Sequence, residues 1–164
     1  AVDAVRMDLS EIVRDVVAEL DERASGRDIT LAVDAPDAAA LRGEPDDVRL
    51  VVRNLVANAI QYNLDGGRVD VRVRETTSEQ GPAWTVDVAD TGIGIPQQDL
   101  QRIFERFYRV DVARSRETGG TGLGLSIVRH AVERHHGTIR VDSLLGEGTT
   151  FSVTLPADAP TGGA

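Results

Sequence analysis

Asn54-Leu55-Val56-Ala57-Asn58-Ala59-Ile60-Gln61-Tyr62 is the stretch on which the reading of this chain turns. Val48, Val51, Val52, Leu55, Val56, Ala59 and Ile60 recur at helical spacing, and Pro45 suits the first turn of a helix beginning there. Asn54 and Asn58 stand four residues apart, so both amides share one helix face, with Tyr62 one turn further on. That face borders the apolar stripe, which places the amides at the edge of a core. An amide oxygen so placed suits Mg²⁺, a hard ion that keeps waters and phosphate oxygens and takes few protein ligands. Two capping or solvated asparagines would satisfy the same pattern.

Outward from this helix, residues 8–24 carry Leu9, Ile12, Val13, Val16, Val17 and Leu20 at helical spacing, closed by Gly26. Residues 29–33 alternate as a strand, and residues 34–43 read as a loop. After the turn Asp65-Gly66-Gly67 come strands at 69–73 and 84–89, joined by a polar hairpin loop at 76–81. Residues 97–107 have a short helical pattern, 109–120 a polar loop, and 123–135 a helix. Strands at 138–141 and 149–155 flank Gly146-Glu147-Gly148. This order predicts an α/β (α+β) two-layer sandwich: one largely antiparallel, mixed sheet with helices on one face. Residues 1–156 are expected to form one domain, and 157–164, small and Pro/Gly-rich, a disordered tail.

Composition narrows the function. The 164 residues suit a single core, and 41% hydrophobic residues suffice to fill it. No cysteine is present, which removes disulfides and thiolate–metal sites. A net charge of −9 argues against a nucleic-acid surface. No apolar run is long enough to span a bilayer, and no charged-then-apolar segment opens the chain. All 18 basic residues are arginine.

Two further features carry chemistry. Asp90-Thr91-Gly92-Ile93-Gly94-Ile95 ends the second hairpin strand, and period two puts Asp90 on the side of Trp84, Val86 and Val88. An inward carboxylate needs a donor, which an exocyclic amine or the turn's own backbone could supply. Gly119-Gly120-Thr121-Gly122-Leu123-Gly124-Leu125-Ser126 opens a helix, where free N–H groups and the positive dipole end favour phosphate. A flexible hinge is the other reading. The Walker loop is excluded because it requires a lysine. The dinucleotide fingerprint is disfavoured because these glycines follow a polar loop and not a strand.

These features in this order, with Phe104-Glu105-Arg106-Phe107-Tyr108-Arg109 and Gly146-Glu147-Gly148-Thr149 between and after, resemble the N, G1, F, G2 and final glycine boxes of two-component sensor histidine kinases. The resemblance spans residues 9–155 and implies the Bergerat ATP-binding sandwich shared with DNA gyrase, heat-shock chaperone and mismatch-repair ATPases. By that resemblance Asn58 holds Mg²⁺, with Asn54 beside it near the phosphates. Asp90 reads the adenine amine, Gly92, Gly94 and Ile95 make room at the base, and Tyr62 lines the pocket. Arg109 is similar to the lid arginine that reaches the terminal phosphate. Gly120, Thr121, Gly122, Leu123 and Gly124 would frame the lid and cradle the phosphates, while Phe104 and Phe107 pack the lid in place. Gln61 stands where members commonly carry a phosphate-contacting lysine or arginine, which puts more weight on Arg109.

In hydrolytic relatives a glutamate one turn before the magnesium asparagine activates water; here that place is Asn54, which is no base at neutral pH. The resemblance therefore implies phosphoryl transfer from Mg-ATP to a histidine, by Asn54, Asn58 and Arg109, with a non-catalytic ATP-sensing module as the alternative. His130, His135 and His136 lack the family's acceptor context and read as a solvated helix end. The implied partners are an upstream dimerisation and phosphoacceptor domain and a response-regulator receiver domain, with no nucleic acid. The isolated domain is expected to be monomeric, and the whole protein homodimeric, membrane-anchored and with this domain in the cytoplasm.

Overall fold

A computed structural model describes residues 4–105 and 124–158. In chain order the elements are β1 (Val5–Asp8), α1 (Leu9–Ser25), β2 (Thr30–Asp34), β3 (Ala40–Gly43), α2 (Pro45–Gln61), β4 (Arg68–Ser78), β5 (Gly81–Asp90), a short 3₁₀ turn (Gln97–Asp99), α3 (Gly124–Arg134), β6 (Thr138–Leu144) and β7 (Gly148–Pro156). Five strands form one sheet in the order β2-β4-β5-β7-β6, parallel between β2 and β4 and antiparallel elsewhere. β1 and β3 pair antiparallel as a separate ribbon.

Alternation along the strands decides which face is covered. Val69, Val71 and Val73 of β4, Val86 and Val88 of β5, and Phe151, Val153 and Leu155 of β7 are buried in a single core. They meet Val13, Val16 and Leu20 of α1, Val52, Leu55 and Val56 of α2, and Val128 and Val132 of α3. Each such side chain is worth about 1.5–3 kcal/mol on burial, so the helical layer holds the sheet face firmly. The other face is polar: Arg74 of β4 pairs with Asp87 of β5 at 2.6 Å, and Asp87 accepts from the Ser152 hydroxyl of β7 at 2.7 Å.

Three expectations change. The 34–43 loop contains β3, and residues 5–8 form its partner β1; strands of four residues are too short to show a period. Asp8, which accepts from Ser10 N–H at 3.0 Å as the α1 cap, also accepts from Ala39 N–H at 2.9 Å and ties helix and ribbon together. The 76–81 hairpin loop is mostly strand: β4 runs to Ser78 and β5 starts at Gly81, whose φ of 112° closes the turn. The 97–107 helix is a single 3₁₀ turn within the described residues.

His135 is also not part of a solvated helix end. It is buried, its Nδ1 lies 2.8 Å from Ala131 O, and its Nε2 accepts the Glu44 N–H at 3.0 Å. That acceptor role leaves the proton on Nδ1, which donates to Ala131 O. The ring lies against Gly43, where a Cβ would come within 2.4 Å of His135 Cδ2. It thus serves the start of α2, whose cap residue Glu44 makes no side-chain cap of its own. Ala157 and Asp158, placed in the tail by sequence, bond through their N–H groups to Pro82 O and Ala40 O, each at 3.0 Å.

Candidate functional site

The site lies where the C-terminal half of α2, the end of β5 and the β6–β7 turn meet, with the start of α3 beside Asn54. Asp90 closes β5 opposite Val69 and Thr149. Its Oδ1 accepts from Gly92 N–H at 2.8 Å and Thr149 N–H at 3.3 Å. Burial pushes its pKa up from 3.8 to about 6, against the lowering effect of those two backbone donors. The aspartate therefore does satisfy its own turn, but through one oxygen. Oδ2 has no hydrogen-bond partner among the described residues, and it is the atom suited to an incoming amine.

The glycines after Asp90 are set by backbone proximity. A Cβ at Gly92 would lie 2.4 Å from Tyr62 O and 2.9 Å from Asp90 Oδ1. Gly94 has φ 74°, and a Cβ there would fall 2.2 Å from Leu144 O. Ile93 N–H donates to Tyr62 O at 3.2 Å, Ile93 O accepts from Gly146 N–H at 2.8 Å, and Ile95 N–H donates to Ser143 Oγ at 2.8 Å. The loop is thus clamped between the end of α2 and the β6–β7 turn, which presents the exposed pair Leu144 and Leu145.

On α2, Asn54 and Asn58 are both partly buried, and Tyr62 is the C-cap residue. Asn54 Nδ2 donates to Leu50 O at 2.8 Å, which fixes the amide's orientation and frees its oxygen. That oxygen faces Gly124 at the start of α3, 3.5 Å from where a Cβ would be. The first and third sequence features therefore lie side by side. The first and second touch, through the Ile93 N–H bond to Tyr62 O. Arg109, Gly120, Thr121, Gly122, Leu123 and Phe107 lie outside the described residues. Phe104 packs edge-on to Phe151, centroids 6.3 Å apart, with the Arg129 guanidinium 5.8 Å from its ring centroid.

Several residues that shape the site were not singled out by sequence. Asn63, fully buried, donates to Arg68 O at 3.1 Å; its Oδ1 accepts from Leu64 N–H at 2.8 Å and Thr91 Oγ1 at 3.3 Å. Ser143 and Thr149 are hydroxyl partners at 2.8 Å beside the glycine loop. An asparagine directly after a helix end was the available signal for the first; the hydroxyl pair had none, because it forms across strands.

The chemistry this arrangement fits is that of an adenine nucleotide. A carboxylate oxygen with no partner among the described residues can accept from an amine, and an oriented amide faces the N-terminus of a helix, where phosphate is favoured. Asn58, one turn on from Asn54, supplies an amide oxygen of the kind Mg²⁺ accepts alongside phosphates and water.

Comparison with known proteins agrees. Residues 43–159 match the family described as histidine kinase-, DNA gyrase B-, and HSP90-like ATPase. The chain is 41% identical over 150 residues to the sensor-like histidine kinase SenX3 of Mycolicibacterium smegmatis, covering 92% of this chain and 38% of that protein. It is 44% identical over 149 residues to the sensor histidine kinase RppB of Synechocystis, covering 90% and 32%. It thus spans well under half the length of these relatives. Among solved structures, the mycobacterial sensor histidine kinase MprB superposes with a TM-score of 0.80 at 29% identity, over 95% of this chain and 99% of that one. Full-length ShkA in complex with AMPPNP gives 0.81 at 25% identity, over 98% and 32%. The chain belongs to the histidine kinase-, DNA gyrase B- and HSP90-like ATPase family, as a catalytic domain of the sensor histidine kinase type.

Proposed function

We propose that this domain, residues 1–156, binds Mg-ATP and passes the γ-phosphoryl group to a histidine on a separate phosphoacceptor domain. The observation that carries the reading is the meeting of the three sequence features: Tyr62 O against Gly92, and Asn54 Oδ1 against Gly124. The AMPPNP bound by full-length ShkA supports it.

Each residue has a task. Asp90 Oδ2 accepts from the exocyclic amine of adenine while Oδ1 stays on its two backbone donors. Gly92, Gly94 and Ile95 form the loop beside the base, and Tyr62 lines it. Asn54 orients toward the phosphates, and Asn58 would hold Mg²⁺, whose charge offsets that of the triphosphate when bound. Arg109, Gly120, Thr121, Gly122 and Leu123 are proposed to complete the phosphate side with Gly124. Asn54 cannot take a proton from water at neutral pH, so the γ-phosphoryl group is held for another nucleophile.

The proposal extends to the whole protein: an upstream dimerisation domain carrying the acceptor histidine, a receiver domain downstream in the relay, and membrane anchorage with this domain in the cytoplasm. No helix of the described residues is itself long and apolar enough to cross a membrane. Calorimetry with an ATP analogue, with and without Mg²⁺, tests binding; labelled ATP with a separately produced acceptor domain tests transfer. Absence of binding at millimolar nucleotide would refute the reading. Binding without transfer would leave the ATP-sensing module, to which the uncharged Gln61 points.

A further inference from the structure

We propose that Arg27, in the loop between α1 and β2, is a positioning residue for the adenine side of the site; the inference rests on the ATP-binding reading above. Arg27 is 27 residues before Asn54 in sequence and belongs to none of the nucleotide-binding boxes. Its guanidinium nevertheless reaches the end of α2. Nη1 donates to Ile60 O and to Gln61 O at 3.1 Å, Nη2 to Asn63 O at 2.7 Å, and Nε to Asp65 Oδ1 at 2.9 Å. The main chain adds to this: Gly66 N–H donates to Arg27 O at 3.1 Å.

The end of α2 is closed only in part by its own backbone, Tyr62 N–H reaching Asn58 O at 3.0 Å and Asn63 N–H reaching Ile60 O at 3.3 Å. The last carbonyls of a helix have no intrahelical donor, and they form the negative end of its dipole. α2 carries no basic residue in its last turn, and neither its C-cap Tyr62, at φ −98°, nor the following Asn63 takes the left-handed conformation with which helices often close. A planar cation with a fixed fork of donors satisfies several of these carbonyls at once, which a lysine could not.

What Arg27 fixes is attached to the adenine loop at two points. Tyr62 O accepts from Ile93 N–H and lies against Gly92, and Asn63 Oδ1 accepts from Thr91 Oγ1. Thr91, Gly92 and Ile93 directly follow Asp90, whose Oδ1 depends on the Gly92 N–H. If residues 60–63 shift, the donor that orients the Asp90 carboxylate shifts with them. Arg27 therefore acts on the base-reading group through the backbone of α2, without touching nucleotide.

The test uses the whole chain with Arg27→Lys, Arg27→Gln and Arg27→Ala, and adenosine and Mg-ATP as probes in calorimetry at low temperature. Circular dichroism establishes which variants are folded. Losing charge-assisted bonds at the helix end should weaken adenosine binding about tenfold in Arg27→Ala. Arg27→Lys should recover part of it, and the extra affinity conferred by Mg²⁺ should stay as in the parent. A merely structural role would lower the melting temperature and leave adenosine affinity at low temperature unmoved. Should the alanine and glutamine variants not fold, Arg27→Lys and the exposed-site variant Asp65→Asn decide, each expected to lose about twofold to fivefold. Parent-like adenosine binding in every folded variant overturns the proposal. A parent chain that binds neither probe is a different result: it brings down the ATP reading itself.

Discussion

Replacing Asp90 by Asn should make the empty domain more stable and its nucleotide binding weaker. The reasoning starts from the burial that raises the Asp90 pKa from 3.8 to about 6. A folded pKa above the unfolded one means that the group's favourable contribution is present at low pH. It is lost as pH rises toward 6, above which the ionised carboxylate is a net burden. At 1.36 kcal/mol per pKa unit the burden is about 3 kcal/mol, and solvent screening on the open side reduces it to about 1–2 kcal/mol. An asparagine can keep its oxygen on Gly92 N–H and Thr149 N–H with no charge to desolvate. At pH 8 the empty variant should therefore melt about 2–8 °C above the parent, and the gain should shrink as pH falls toward 4. Binding moves the other way. The amide nitrogen would occupy the place of Oδ2 and meet the adenine amine donor to donor, a mismatch of about 1–3 kcal/mol, or about fivefold to 150-fold in affinity. The parent's affinity for adenosine, which has no group titrating in this range, should also weaken below pH 6, where Asp90 gains a proton, whereas the variant's should not. Thermal melts and calorimetry across this pH range check each part. A variant less stable than the parent at pH 8, or one that binds ATP equally well, would refute the reasoning.

Asn58→Ala should leave folding intact and abolish the Mg²⁺-dependent part of ATP affinity; calorimetry with and without the metal reads the difference directly. Gly92→Ala drives a methyl group to 2.4 Å from Tyr62 O, a backbone atom that cannot turn away. It should cost about 1–3 kcal/mol in denaturant unfolding and weaken adenosine binding as well. His135→Phe leaves the Glu44 N–H without its acceptor and should cost a similar amount, about 1–3 kcal/mol. Because His135 lies beyond the far end of α3 from Gly124, its folded variant should bind ATP with parent affinity.

What could be read from sequence was whatever depends on residues close together in the chain. The α2 stripe put Asn54, Asn58 and Tyr62 on one face, and strand alternation brought Asp90 to the edge of the core; both follow from local periodicity. The ribbon β1–β3 was missed because four residues cannot display a period, and because its two strands stand apart in the sequence with α1 and β2 between them. The role of His135 was missed for a related reason. Its partners are Ala131, one turn back and readable, and Glu44, 91 residues away and not. Arg27 is not singled out by any local pattern, because the carbonyls it meets at the end of α2 lie 33 to 36 residues further along the chain. Gly92 and Gly94 were expected to leave room for a base. Their lack of a side chain is also required by Tyr62 O and Leu144 O, protein atoms that only the assembled sandwich brings near.

Asn54→Glu tests the division between transfer and hydrolysis most directly. In the parent, Asn54 Nδ2 is tied to Leu50 O, and its oxygen faces the start of α3. A glutamate at this position has no N–H for Leu50 O, so the tie is lost and the longer side chain is free to reach outward. Its carboxylate, one helical turn from Asn58, is then a base able to orient water near the phosphates, which the amide is not. The parent should hydrolyse ATP slowly and take up no label on His130, His135 or His136. The glutamate variant should gain ATPase activity while its transfer to a supplied acceptor domain declines. The gain should be modest, because a general base contributes about 10²–10⁴-fold only when aligned with the proton it removes. Phosphate release and label transfer, measured on the same preparations, give the two rates. A parent that hydrolyses ATP as fast as the variant would show that Asn54 is not what withholds water chemistry from this site.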